Sequence, residues 1–133
     1  MSGQTVTGLG LQFTDDNKFC SGYSGTIAIG SGDTTMLSFT TTDVYIKGEL
    51  NFSGVWGNMG SSAVTMKLSI NGKDIIFNTV SNTSARNVEG TPYPILLPPN
   101  SIIVVSMSQA SGSDRNFQAT LIGDVGMAQR VGN

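Results

Sequence analysis

The stretch that decides the fold runs from Pro94 to Met127, PILLPPNSIIVVSMSQASGSDRNFQATLIGDVGM. It contains a Pro-Pro-Asn turn, the apolar run Ile102–Val105, a polar loop, and a final segment whose apolar side chains fall on every second residue. This pattern predicts a strand buried on both faces, an exposed loop and a half-buried closing strand. No helical periodicity competes with it, so we predict an all-β domain that this hairpin closes.

The composition predicts one domain with an unusually uncharged surface. The chain has 133 residues, of which 38% are hydrophobic and 12% are charged, whereas about 25% of the residues of a typical domain are charged. Serine, threonine, asparagine and glycine must therefore make up most of the surface. Such residues suit exposed strands and turns, and they suit a surface that packs against other subunits, because uncharged polar groups lose water more cheaply than ions do.

Several function classes are disfavoured by residues that the chain lacks. The net charge is −2 and the seven cations are scattered, with no run that would give a basic patch, so we predict no nucleic-acid partner. The sequence has no histidine and its one cysteine is Cys20, which excludes a Ser-His-Asp triad, an intrachain disulfide and a Cys/His zinc site within one chain. We predict that the protein is not an enzyme and that Cys20 is a small buried apolar residue.

Acidic residues give the one candidate for a metal. Asp15, Asp16 and Asn17 are oxygen ligands of the kind that Ca²⁺ prefers, with Asp33 or Asp43 as further candidates from other loops. Aspartate and asparagine also cluster at turns because they bond to their own backbone. We predict turns here and no metal.

The N-terminal sequence MSGQTVTGLG lacks a positive region and a long apolar run, so it does not look like a signal peptide. No apolar stretch has the length of a transmembrane helix. We therefore predict synthesis in a cytoplasm and no membrane partner. Residues 1–14 alternate weakly around glycines, which predicts an edge strand or an arm lying on a neighbour; residues 15–133 are predicted to form the single domain.

The clearest hairpin spans Ala63–Val80 around the Asn71-Gly72 turn, a pair that accepts the positive φ angles of a type I′ turn. Counting back from this turn predicts three cross-strand pairs: Ile70 with Lys73, Leu68 with Ile75, and Met66 with Phe77. In all, about eight or nine strands separated by turn signals predict an antiparallel β-sandwich. A buried penultimate strand before a long closing strand favours a jelly roll over an immunoglobulin-like domain.

Six segments of the chain together resemble a known family. They are DDNKFCSGYSGTIAI (15–29), TTMLSFTT (34–41), YIKGELNFSG (45–54), the Asn-Gly hairpin, LPPNSIIVVSM (97–107) and RNFQATLIGDV (115–125). In this order they resemble small jelly-roll virion proteins of tailed phages, of the capsid decoration or cement type. The likeness covers roughly residues 15–125, and its motifs are structural.

The resemblance implies a single jelly roll, often a homotrimer, that sits on the capsid exterior, bridges major capsid subunits and needs no cofactor. We accordingly expect a virion protein, made in the host cytoplasm, whose contacts lie on the arm, on the loop 53–62, on the faces that hold Ile102 or Ile122, and at the tip of the last hairpin. The expected partner-contact residues are Val6, Leu9, Trp56, Met59, Ile102, Val104, Ile122 and Arg115. A further copy is expected to cover the second face of the run 102–105.

Two other functions remain open at this point. A carbohydrate-binding jelly roll, such as a fibre tip or lectin, would use a sugar-stacking surface, for which the candidates are Tyr23, Tyr45, Trp56 and Tyr93. A small coat protein that tiles the shell itself is the other. Both retain the predicted fold and differ only in what the surface binds.

Overall fold

The computed structural model describes residues 6–9, 11–13, 19–41, 43–54, 63–81 and 92–127. Within these ranges the regular structure is entirely β-strand. The strands are β1 Val6–Leu9, β2 Leu11–Phe13, β3 Phe19–Tyr23, β4 Ile27–Ile29, β5 Thr34–Thr41, β6 Val44–Gly54, β7 Ala63–Ile70, β8 Lys73–Ser81, β9 Tyr93–Leu97, β10 Ile102–Gln109 and β11 Arg115–Met127.

The strands form two antiparallel sheets packed face to face. Sheet A has the order β1-β5-β10-β7-β8, and sheet B has the order β2-β3-β11-β6-β9, with β4 also paired to β11. Every pairing in both sheets is antiparallel. The predicted all-β antiparallel sandwich is confirmed.

The strand order is that of a jelly roll. The hairpin β7–β8 is innermost in the chain, and around it lie the nested antiparallel pairs β6–β9, β5–β10 and β3–β11. Successive pairs alternate between sheets A and B, so the chain behaves as one long hairpin wound around the core. Eight strands carry this winding, and the short strands β1, β2 and β4 add to its margins.

The N-terminal strands occupy one edge of each sheet. In β1, Val6 lies opposite Thr41 and Leu9 lies opposite Ser38 of β5. Strand β2 pairs with β3, so Phe13 lies opposite Cys20. The described part of the segment 1–14 thus forms two edge strands, one for each sheet. The domain boundary at residue 15 stays a prediction.

The core lies between the two sheets and includes a side chain from almost every long strand. Its largest fully buried members include Phe52, Phe117, Met36 and Met66. Alternation along each strand delivers these side chains to the interior, because every second residue points to the same face of a sheet. Burial of this apolar surface is the main source of stability.

The prediction that the run 102–105 is buried on both faces is wrong within the chain. Ile103 is fully buried and Val105 is 1% exposed, but Ile102 is 56% exposed and Val104 is half-buried. Strand β10 is central in sheet A, yet only one face of that sheet meets sheet B. Four consecutive apolar residues therefore alternate in and out like any other strand.

The predicted hairpin register holds only next to the turn. Ile70 lies opposite Lys73 as expected, but Leu68 lies opposite Ile76 and Met66 lies opposite Asn78. A bulge at Ile75 shifts β8 by one residue, so the pairs predicted for Ile75 and Phe77 are wrong. A comparable irregularity in β5 leaves Met36 without a partner on β10, and both Met36 and its neighbour Leu37 are fully buried.

Candidate protein-contact surfaces

Large apolar side chains are exposed on the outer faces of both sheets. Sheet B carries Phe19 (52% exposed), Tyr23 (57%), Leu96 (61%) and Ile122 (59%). The others lie on sheet A, and they are Ile75, Phe77 and Ile102. Single exposed apolar residues are ordinary, but groups on one face point to a contact surface.

The outer face of sheet B has a continuous row of four exposed residues, one from each of four neighbouring strands. Phe19 of β3 lies opposite Asp124 of β11, Asp124 lies opposite Lys47 of β6, and Lys47 lies opposite Leu96 of β9. The row thus reads apolar, negative, positive, apolar across the sheet. Directly opposite residues on one face are close enough for their side chains to interact.

The adjacent row on this face is less charged. It runs from Ser21 through Ile122 and Glu49 to Pro94. Ile122 is therefore at the centre of the face, beside the acidic Glu49. Two rows further along, four residues from Ile122, the Gln118 side-chain amide donates to the Ser53 hydroxyl at 3.0 Å.

A shallow open groove of about 940 Å³ follows β6 and β9 on this outer face. Its apolar walls come from Tyr45, Leu96 and three prolines. Its charged groups are Lys47, Glu49 and Asp124. The groove is therefore mainly apolar and has charges of both signs at its centre, so it offers a partner both apolar contact and charge pairing.

A pair of glycines sets the backbone geometry beneath the charged centre. Gly48 lies opposite Gly123, next in sequence to Lys47 and Asp124 respectively. A Cβ added at Gly48 would lie 2.5 Å from the Cα of Gly123 and closer still to the carbonyl oxygen of Ile122. Only glycine at position 48 allows β6 and β11 to approach this closely.

The outer face of sheet A carries a second, smaller polar and apolar group. The Lys67 ammonium donates to the Asp33 carboxylate and lies 5.6 Å from the centre of the Phe77 ring. The hydrogen bond to Asp33 raises the pKa of Lys67. On the same sheet, Ile102 lies opposite Thr40 and Val104 lies opposite both Ser38 and Ser69. The expected contact residues Ile102 and Val104 thus share this face.

A buried polar cluster fixes the turn that leads into β10. The Thr41 hydroxyl donates to the Pro98 carbonyl at 2.7 Å and accepts from the Ser101 amide at 2.9 Å, while the Thr41 amide donates to the Ser101 carbonyl. The Asn71 carboxamide accepts from the Ile102 amide at 2.8 Å. These bonds satisfy backbone groups that the prolines leave without strand partners, so the turn is held rigidly.

The tip of the last hairpin is held by Gln109, which is 4% exposed. Its side-chain amide donates to the carbonyls of Ile29 and Ser113, both at 2.8 Å. Arg115 follows this tip, and its Nε donates to the Ser111 hydroxyl at 3.4 Å. This observed contact of Arg115 is local; its contact with another subunit stays a prediction.

Cys20 is 2% exposed and lies opposite Gly123 on the row beside the charged centre. Burial raises the pKa of its thiol to about 11; a backbone hydrogen bond from Gly123 opposes this rise and the Asp124 charge adds to it. The thiol is therefore neutral at physiological pH and is a poor nucleophile. This agrees with the expected role of a small buried apolar residue.

The structure separates the residues that the sequence suggested as contacts. Ile102 and Val104 lie on sheet A, Ile122 lies on sheet B, and β1 holds Val6 and Leu9 at a sheet edge. Trp56, Met59 and the calcium candidates Asp15 and Asp16 lie outside the described residues. Within the described ranges, no group of three acidic or cysteine side chains is arranged to hold a metal ion.

Sequence reasoning missed the row formed by Phe19, Asp124, Lys47 and Leu96. Each of these residues is on an outward position of its own strand, which alternation alone can indicate. What alternation does not give is the order β3-β11-β6-β9, because those strands are far apart in the chain. Applying the strand order of a jelly roll to the predicted strands would have identified the row, because that order places β11 between β3 and β6.

No protein-family model matches this chain, and no curated protein is significantly similar to it. In the part of the chain that the structure describes, no helix is long and apolar enough to cross a membrane. Any functional assignment must therefore start from the fold and its surfaces.

Proposed function

We propose that the protein is a structural virion protein that binds the outside of a tailed-phage capsid and stabilises the shell. The observation that carries the proposal is the nested strand order of the sandwich. This is the architecture that the six-segment resemblance implies. Fold alone is shared by many functions, so the surfaces must also suit the role.

The surfaces support a binding role. Both outer faces carry large exposed apolar side chains, and only 12% of the residues are charged. A decoration protein needs contacts to the major capsid protein and also to its own copies. Two separate faces with apolar residues can serve two such contacts, and the homotrimer implied by the resemblance remains part of the proposal.

The mechanism of stabilisation is thermodynamic. A protein that binds only the assembled shell lowers the free energy of that state by its binding free energy and so disfavours disassembly. Repeated sites over a symmetric shell multiply modest individual contacts. Neither step requires a cofactor or a chemical reaction.

The test is reconstitution on capsids of the phage that encodes the protein. Particles that lack the gene product would be mixed with purified protein, sedimented, and heated to measure the temperature of shell opening. We expect saturable binding at a fixed copy number per capsid subunit and a higher opening temperature. Failure of the protein to sediment with these capsids would overturn the proposal.

The N-terminal segment gives a sharper test of the capsid contact. Deletion of residues 2–10 removes β1, which pairs with β5 at the edge of sheet A. We expect this variant to fold, because β1 adds only an edge, and to occupy fewer capsid sites. A melting curve must accompany the assay, since a loss of folding would also lower occupancy. Full occupancy by the folded deletion variant would remove the arm from the contact.

Two alternatives give distinct results in the same experiments. A small coat protein would assemble into closed particles on its own. A carbohydrate-binding jelly roll would bind a glycan array. Tyr93, one of the four predicted sugar-stacking aromatics, packs its ring edge-on against Phe52 at 6.0 Å and accepts a hydrogen bond from Asn78. These contacts disfavour its stacking on a sugar.

A further inference from the structure

We infer that two copies of this chain pair through the outer face of sheet B, about a twofold axis. The axis lies in the plane between the two copies, above the gap between β6 and β11, and runs parallel to these strands. This inference does not depend on the capsid proposal: it concerns the free protein in solution, whereas the homotrimer of that proposal is the state bound to the shell. It is carried by the charge order of one row, by the shape of the face, and by the exposure of the residues involved.

The row Phe19–Asp124–Lys47–Leu96 is complementary to its own reverse. From the β3 side it reads apolar, negative, positive, apolar, and all four residues are exposed. Read from the β9 side, apolar residues still come first and last while the two charges exchange places. A surface with this property matches a second copy of itself, as an isologous interface requires.

The proposed axis aligns the row with its own reverse. A half-turn about a line between β6 and β11 exchanges the two sides of that line and keeps each row at its own level. Lys47 then faces Asp124 of the partner subunit, and Asp124 faces the partner's Lys47. At the margins, Phe19 faces the partner's Leu96, and Leu96 faces the partner's Phe19.

The shape of the face suits the same arrangement. The groove lies over β6 and β9, and its walls include Pro94 and Leu96. The exposed side chains of Phe19 and Ile122 lie over β3 and β11. The half-turn places β3 and β11 of each copy over β9 and β6 of the other. Apolar side chains of one copy therefore enter the groove of the next, twice per pair.

The twist of the sheets does not disturb the central contacts. Two stacked sheets cross at about 30°, so residues on the outer strands move out of alignment with the partner while those on the two strands beside the axis stay close to it. Lys47 and Asp124 are on the two strands next to the axis. The two reciprocal ion pairs thus set the register, and the apolar contacts around them exclude water and strengthen them.

The size of the face predicts a weak pair. Four strands at about 4.8 Å spacing make a surface roughly 15–20 Å wide, which is at the small end for specific protein interfaces. We therefore expect a monomer–dimer equilibrium in the micromolar range or weaker, and tighter pairing where copies are concentrated on a larger assembly.

The experiment is sedimentation velocity across a wide concentration range on the full chain. For the unaltered protein we expect a reversible shift from one copy to two. The single variants Lys47→Asp and Asp124→Lys should each stay monomeric, because each places like charges opposite one another. Melting curves would confirm that both variants fold.

An equal mixture of the two single variants is the decisive sample. In a mixed pair, Asp at position 47 of one copy faces Lys at position 124 of the other, and Asp124 faces Lys47. The mixture should therefore dimerise although neither variant does so alone. Within each variant the residues at 47 and 124 still carry like charges, so recovery cannot come from the repair of an intrachain pair.

A matched control tests the face itself. Ile75→Ser removes one exposed apolar side chain from sheet A and should leave dimerisation unchanged, whereas Leu96→Ser on sheet B should weaken it at least several-fold. Monomers at every concentration, a trimer instead of a dimer, or a dimer that survives both charge reversals would each overturn the inference.

Discussion

Leu68 of β7 lies directly opposite Ile76 of β8. The preceding residue, Ile75, has no partner on β7 and bulges outward, with 57% of its side chain exposed. Ile76 packs against the core. We predict that Ile76→Ala lowers the free energy of unfolding by about 2 kcal/mol, the low end of the range for core isoleucines, because Ile76 is only partly buried. Ile75→Ala should change it by less than about 0.5 kcal/mol. Urea unfolding of both variants measures this, and equal losses would argue against the bulge.

The Thr41 hydroxyl holds the turn before β10, where it donates to Pro98 and accepts from Ser101. Thr41→Val keeps the shape of the side chain but leaves the buried Ser101 amide and the partly buried Pro98 carbonyl without this partner. We expect a loss of about 1–3 kcal/mol in the free energy of unfolding. Thr41→Ser is the control, because it retains the hydroxyl and should recover most of the loss. Similar stability of the Val variant and the unaltered protein would contradict the role of the hydroxyl.

Gly48 lies where β6 and β11 are too close for a side chain. Gly48→Ala forces a methyl group against the backbone of Ile122 and Gly123. We expect the free energy of unfolding to fall by about 1–3 kcal/mol or more. Gly32→Ala is matched to it, because a Cβ there has no neighbouring atom within 4 Å. Thermal melts should show a lower midpoint for the first variant and an unchanged or slightly higher one for the second.

The buried thiol of Cys20 should react with a disulfide reagent only after the sandwich opens. Its raised pKa also predicts a pH effect with a definite sign. The unfolded thiol ionises near pH 9.0 while the folded one stays neutral to about pH 11. Its contribution is therefore fully present below pH 9 and is lost as the pH rises toward 11. The difference in unfolding free energy between the unaltered protein and Cys20→Ala, followed from pH 8 to 11, isolates this contribution; a difference that does not change with pH would refute it.

The sequence predicts the strands of this protein well and their partners poorly. Alternation and turn residues locate the Asn71-Gly72 hairpin, and its first pair, Ile70 with Lys73, is correct. The bulge at Ile75 escapes prediction because β8 carries Ile75, Ile76 and Phe77 in succession. Such a run fits either register, and only packing against sheet B decides which residue turns inward.

The contact surfaces were still harder to predict. The exposure of Ile102 follows from the one-sided packing of sheet A, which the apolar run 102–105 does not reveal. The row with Lys47 and Asp124 depends on pairing between β6 and β11, which are separated by four other strands in the chain. Local sequence gives each side chain a face, but only the assembled sheet gives it neighbours.

The position of β11 has a consequence for biosynthesis. This strand lies between β3 and β6 in sheet B, yet it comes last among the described strands. Until it leaves the ribosome, β3 and β6 have no partner on the sides that later face it, and the nascent chain presents open strand edges to other chains. Completion of the sandwich must therefore follow synthesis of the final strand. Chains that terminate before Arg115 should associate with one another rather than fold.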